Sequence, residues 1–247
     1  MGAISGNGTG GHYPGRARAG SLTPVNPSAP GQDTVARAVL GALAGAPLPE
    51  WETVAAALEV CELAPGQVLF NAGARAPHVF FVRRGILRLA YESGDGRHRI
   101  KGFVPEGRFF ASARALAGDG RAAFRADALE AACVERLDYA VLERLAAVHL
   151  PWQAALASGF RLFGLRKEQR EHDLLVLDAG ARYRRFLEDY ADVAGRIPLK
   201  DVAAYIGVTP VGLSRIRRRL GLVGGEPHGP RAAAAPVARP RHAGAHP

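Results

Sequence analysis

Five cations, Lys200, Arg215, Arg217, Arg218 and Arg219, stand in a 21-residue stretch, Leu199 to Arg219, where Asp201 is the single acid. The stretch therefore carries +4 of the formal net charge of +9 of this 247-residue chain. A guanidinium is a planar fork of donors that can meet the two acceptors on the major-groove edge of guanine, and any exposed cation can pair with a phosphate. By this chemistry Arg215, preceded by Ser214, is a base contact. Lys200, Thr209, Arg217 and Arg218 are phosphate contacts, with Pro210 and Arg219 beside them on the same element. A solvated basic face on a generic helical hairpin would also carry these charges, so what surrounds them has to decide.

The surrounding residues, LKDVAAYIGVTPVGLSRIRRR, match what two helices joined by a tight turn require. Ala203 is small where the helices must touch, and Gly207, four residues on, can take a positive φ. Val202, Ile206, Val208, Leu213 and Ile216 can close a small core from both helices. Thr209 is a cap for the second helix, Pro210 suits its first position, and Pro198 opens the first helix in the same way. The predicted element is a helix-turn-helix whose second helix exposes Ser214, Arg215, Arg217, Arg218 and Arg219.

Other chemistries lack their residues. A facial metal site needs two histidines one residue apart, a carboxylate and a third histidine. The β-rich part of the chain holds only His78 and His98, 20 positions apart. There is no Ser/His/Asp elbow and no phosphate-cradling glycine loop before a helix. Asp95 and Glu106 fall in turns, where solvated carboxylates are ordinary. The expectation is a protein that is not an enzyme and carries no metal and no cofactor; His78, His98 and His149 are the isolated candidates for a haem ligand. Cys61 and Cys133, the only two cysteines, lie too far apart in sequence to suggest a disulfide framework. No signal sequence opens the chain and no apolar run nears the roughly 20 residues that cross a bilayer. A cytoplasmic protein with no membrane partner is expected.

The elements that position the basic segment follow from texture. Residues 1–32 and 224–247 are rich in Gly, Pro, Ala and Ser and read as disordered tails. Residues 34–58 have helical spacing. From Cys61 to Leu137 short apolar runs alternate with glycine turns, which reads as an antiparallel β-sandwich or roll. Asp138 then caps a helix running to His149, and Pro151 opens a longer one. On the longer helix Leu156, Phe160 and Phe163 form an apolar stripe, either packed on its own roll or forming the seam of a dimer. The fold class is α+β, with a sensing roll and flanking helices over 33–150, a dimerisation helix over 151–172 and a helix-turn-helix unit over 173–223.

This order of elements resembles the Crp/Fnr family of bacterial transcription regulators over about residues 50–220. The resemblance rests on PGQVLFNAG, VFFVRRGILRL, SGDG and PEGRFF in the roll, and on ARYRRFLEDY and RIPLKDVAAYIGVTPVGLSRIRRRL beyond it. It implies a homodimer binding a near-palindromic operator in double-stranded DNA, RNA polymerase as a further partner, and a small-molecule effector acting on the roll. Cyclic-nucleotide-binding members carry Gly-Glu and Arg-Ser/Thr pairs for the ribose and the cyclic phosphate. Here those places hold Ala111-Ser112 and Ala122-Ala123, with Arg121 and Arg125 flanking the second. The cassette is degenerate, so cyclic AMP is not expected as effector unless a shifted alignment restores one cation. The glutamate usual near the start of the recognition helix is Val211, and the usual wing after that helix is missing. A ligand-sensing or protein-interaction module with a vestigial DNA-binding domain is the alternative reading.

Overall fold

The structure, a computed structural model, describes residues 34–92 and 98–222. The tails expected to be disordered, the Ser93–Gly96 turn and the chain that would follow the recognition helix as a wing lie outside the described residues. Two compact units divide between Glu171 and His172.

The first unit opens with α1 (Val35–Ala44) and α2 (Trp51–Ala57). Thr34 caps α1 by accepting the Arg37 N–H at 3.1 Å, and Val35, Ala36, Val39 and Leu40 form its buried face. Eight strands follow: β1 (Glu59–Leu63), β2 (Val68–Phe70), β3 (His78–Arg84), β4 (Leu87–Glu92), β5 (His98–Val104), β6 (Phe109–Ala111), β7 (Arg125–Ala128) and β8 (Ala132–Asp138). A short helix, α3 (Ala113–Ala117), interrupts them after β6.

All pairings are antiparallel and make two four-stranded sheets, ordered β1-β8-β3-β6 and β2-β7-β4-β5. The chain crosses from β3 to β4 at Gly85, where φ is 84° and a Cβ would lie 2.7 Å from the Ala131 carbonyl oxygen. Only glycine fits that corner.

Two clusters share the unit. In the roll, Phe80 and Val82 of β3 and Phe110 of β6 pack with Phe70, Leu87, Leu89, Ala122 and Phe124. On the other face of the same sheet, Val79, Phe81 and Phe109 pack with α1, α2 and the following helices. A sheet covered on both faces has no polar side, which is why Val79-Phe80-Phe81-Val82 is a continuous apolar run.

Asp138 caps α4 (Tyr139–Val148) through the Ala140 N–H at 2.9 Å. The long helix α5 spans Leu150–Val176, with Pro151 in its first turn. It is anchored by Trp152, fully buried, stacked on Trp51 at 6.4 Å and donating its indole N–H to the Pro49 carbonyl at 2.9 Å. The apolar stripe of α5 meets its own unit along one side. Leu156 and Phe163 are half-buried against the helical cluster, and Phe163 meets Phe109 at 5.1 Å. Phe160 turns edge-on to Tyr139 at 6.2 Å and stays 39% exposed. Leu156, Phe160 and Phe163 thus pack in part on their own unit and in part stay open to solvent.

A buried ion holds α1 to the sheet. Glu135 of β8, 1% exposed, accepts the Val35 and Ala36 N–H groups at 3.3 and 2.8 Å and pairs with Arg83 at 3.4 Å. Burial pushes its carboxyl above the usual range despite these partners.

Candidate nucleic-acid interface

The second unit packs α6 (Ala179–Asp189), a 3₁₀ turn (Ala194–Arg196), α7 (Leu199–Ile206) and α8 (Pro210–Arg219). Its core gathers Tyr183, Phe186, Val193, Ile197, Val202, Ala203, Tyr205, Ile206, Leu213 and Ile216. Phe186 contacts Tyr190 at 5.2 Å and Tyr205 at 5.8 Å, so α6 supplies the floor on which α7 and α8 rest.

The turn between α7 and α8 is built as its residues require. Ala203 is fully buried. Gly207 ends α7 at φ 77°, and the Val208 N–H reaches back to the Ala203 carbonyl at 2.9 Å, closing the last turn. Thr209 caps α8 by accepting the Gly212 N–H at 3.1 Å, with Pro210 in the first turn. Val208 is half-buried, and the other four residues expected to close the core are buried.

Arg182 completes the assembly; it lies in the ARYRRFLEDY stretch, though no role for it follows from that stretch. Its Nε donates to the Ile206 carbonyl at 2.8 Å and another nitrogen to the Leu177 carbonyl. It thereby ties the free carbonyl end of α7 to the start of α6. The only sequence signal would have been an arginine on the inner face of an amphipathic helix.

The expected contact residues separate into two groups. Ser214, Arg215 and Arg218 are exposed along one face of α8, together with Thr209 and Pro210 at its start, and Lys200 is exposed on the first turn of α7. Val211 joins that face, 62% exposed. Arg217 departs from the expectation: its side chain is half-buried and bends back to the Leu222 carbonyl at 3.3 Å, so it serves the end of its own helix. Arg219, though exposed, lies close enough to Asp178 to help hold that carboxyl below its usual range. The larger cause there is the hydrogen bond that Asp178 accepts from the Ala181 N–H. Four of the five cations, Lys200, Arg215, Arg218 and Arg219, are thus exposed, the last beside Asp178.

The roll disposes of its cassette positions differently. Ala111 ends β6 opposite Val79. Ser112 is buried and its hydroxyl accepts the Ala123 N–H at 3.0 Å. Ala122 is buried in the core, hydrogen-bonded through its backbone to Ala74 at 2.9 Å and Gly73 at 2.8 Å. Neither flanking cation replaces the missing one. Arg121 points outward and donates to the Gly73 carbonyl at 2.9 Å. Arg125 meets the buried Asp127 carboxylate at 3.4 Å, which Arg88 also holds at 2.7 Å. Between them Phe124 fills the interior, 5.8 Å from Phe70 and edge-on to Tyr91 at 6.3 Å.

The histidines stand apart. His149 bonds Glu50 at 2.9 Å, while the Nδ1 of His78 is buried without a hydrogen bond, and burial and then Arg136 lower its basicity. Burial and then Glu62 push the Cys133 thiol up to about 11, which leaves it unreactive near neutrality. Among the described residues no three His, Cys, Asp or Glu side chains gather as for a metal ion, and no helix is long and apolar enough to cross a membrane.

The fold is a two-sheet roll with a long helix after it, and the next unit holds a capped helix-turn-helix. Residues 60–149 match the family model of the cyclic nucleotide-binding domain. The fold is similar to that of FixK2 from Bradyrhizobium japonicum, with a TM-score of 0.60 and 20% identity over 70% of this chain and 89% of that one. It is also similar to the c-di-GMP responsive global regulator CLP of Xanthomonas campestris, with a TM-score of 0.56 and 16% identity over 69% and 90%. CprK complexed with OCPA gives a TM-score of 0.53 and 13% identity over 71% and 85%. No curated protein matches the chain by sequence. Residues 60–149 thus match a cyclic nucleotide-binding domain, and the fold is similar to that of these proteins.

Proposed function

We propose that this protein is a sequence-specific transcription regulator of the Crp/Fnr type that binds a near-palindromic operator as a homodimer. The observation that carries the proposal is the outer face of α8, where Ser214, Arg215 and Arg218 stand exposed on a helix held by a complete turn, cap and core. In this role α8 lies in the major groove. Arg215 reads a guanine, while Lys200, Thr209 and Arg218 hold phosphates. The protein is not an enzyme on this reading, and RNA polymerase is its further partner.

Control is by something other than cyclic AMP. Phe124, Ala122 and Ser112 occupy the cassette by packing and internal hydrogen bonding, and Arg125 is committed to Asp127. A phosphate brought there would have to compete with Asp127 for Arg125. Proteins of similar fold answer to other small molecules, c-di-GMP for CLP and OCPA for CprK, which supports an effector of different chemistry.

Binding of the purified chain to a pool of random duplexes, sequenced after retention with and without cyclic AMP, tests the reading. A palindromic motif without nucleotide is expected, and affinity for it should fall steeply with salt as phosphate contacts release counterions. A motif appearing only with cyclic AMP would sink the proposed control. The retreat of Arg217 from the outer face favours a second reading, a protein-interaction module; no motif under either condition would put it first.

A further inference from the structure

The first turn of α8 holds an apolar side chain that its own fold does not use. Val211 is 62% exposed on the face shared with Ser214, Arg215 and Arg218, while Leu213 and Ile216 supply the buried side. A β-branched residue gains nothing from such a site through helix propensity, and no packing recovers it. Its neighbours are equally bare of polar groups: Pro210 is exposed and Gly212 has no side chain. Between Thr209, whose hydroxyl caps the helix, and Ser214, the leading end of the recognition helix therefore exposes only apolar side chains.

We infer that Val211 is a specificity residue that reads the C5-methyl group of a thymine. The inference rests on the proposed DNA-binding role of α8. Of the groups on the major-groove edges of the four bases, the thymine methyl is the one a purely apolar side chain can favour; every other is a donor or acceptor that it would desolvate without a partner. Arg215 lies four residues further on, about 6 Å along the helix at 1.5 Å per residue. That is about two steps of 3.4 Å along a strand, so each half-site carries a thymine and the guanine of Arg215 within roughly two base-pair steps. An operator that placed a cytosine opposite the first turn, as a carboxylate there would require, is disfavoured.

The test removes the methyl group from each side in turn. Duplexes recovered from the random pool by the full-length protein are resynthesised with uracil for thymine at each half-site position, and affinities are measured for the wild type and for Val211→Ala. Burial of one methyl-sized group against another corresponds to about a three- to tenfold change in affinity. The expected result is a loss of that size for the wild type at one thymine position, absent in Val211→Ala. Circular dichroism and a melting curve check that the variant, altered at an exposed site, is folded. If the motif is recovered but uracil costs the wild type nothing, or costs both proteins the same, Val211 does not read the base and the DNA-binding role stands without it. If no motif is recovered with or without cyclic AMP, the DNA-binding role itself fails and takes this inference with it.

Discussion

The roll interior and the outer face of α8 are the two places where this architecture can meet a ligand, and the fold has treated them in opposite ways. In the roll, the positions that the family resemblance assigns to ribose and phosphate hold Ala111, Ser112, Ala122 and Ala123, none of them charged. The space is closed by Phe70, Phe80, Phe110 and Phe124, whose rings lie 5.1–6.3 Å apart along the chain of contacts. On α8 the turn, cap and core are intact and the polar residues still face outward. A binding residue that points into a core is replaced by packing once its ligand is lost, because an unpaired buried ion is costly. A binding residue that points into solvent is under no such pressure, and its presence says more about use.

The sharpest way to break the contrast is to rebuild the cassette. Ala122→Arg with Ser112→Glu would place two ions in a region now closed to water. Loss of folding stability of about 3–5 kcal/mol in denaturant titration is expected, with no cyclic AMP binding by calorimetry. Tight binding by a stable protein would show that the interior is an empty nucleotide site after all. Phe80→Ala should cost a similar amount, about 3–5 kcal/mol, through the cavity it leaves.

Arg182→Met comes next. It frees the Ile206 carbonyl, so the second unit should lose about 1–3 kcal/mol of stability. DNA binding should weaken for every sequence alike, since α7 and α8 lose their tie to α6. On the outer face, Arg215→Ala should leave stability within about 0.5 kcal/mol, yet lose roughly 1–3 kcal/mol of discrimination at one base pair. Arg218→Ala should weaken all duplexes equally and flatten the salt slope by about one unit. If both substitutions behave alike on every sequence, the division between base and phosphate contacts is wrong.

The smallest effect concerns pH. Burial raises the Glu135 carboxyl above its unfolded value, so between those two values the native state binds more protons than the unfolded chain. Stability should therefore fall as pH rises through that interval. Glu135→Gln, which keeps an acceptor for the α1 N–H groups, should remove this slope in melting curves taken across the mildly acidic range.

Much of the second unit was legible in the sequence because its determinants are local. Ala203, Gly207, Thr209 and Pro210 act on neighbours within five positions, so their spacing alone specifies the turn and the caps. The same is true of Asp138 and Pro151, which set the boundaries of α4 and α5, and of the glycine-punctuated strands. Contacts between distant residues decided the rest. Glu135 meets the start of α1 about a hundred positions away, and Arg182 meets Ile206 across a helix.

The sequence by itself determined the kinds of element, their order and the helix-turn-helix, since caps, turns and hydrophobic period act within a few residues. Only the tertiary structure decided which arginines face outward, which side of α5 is already covered and what fills the roll. Those outcomes depend on which surfaces remain for water once the sheets and helices have packed, and no local pattern encodes that remainder.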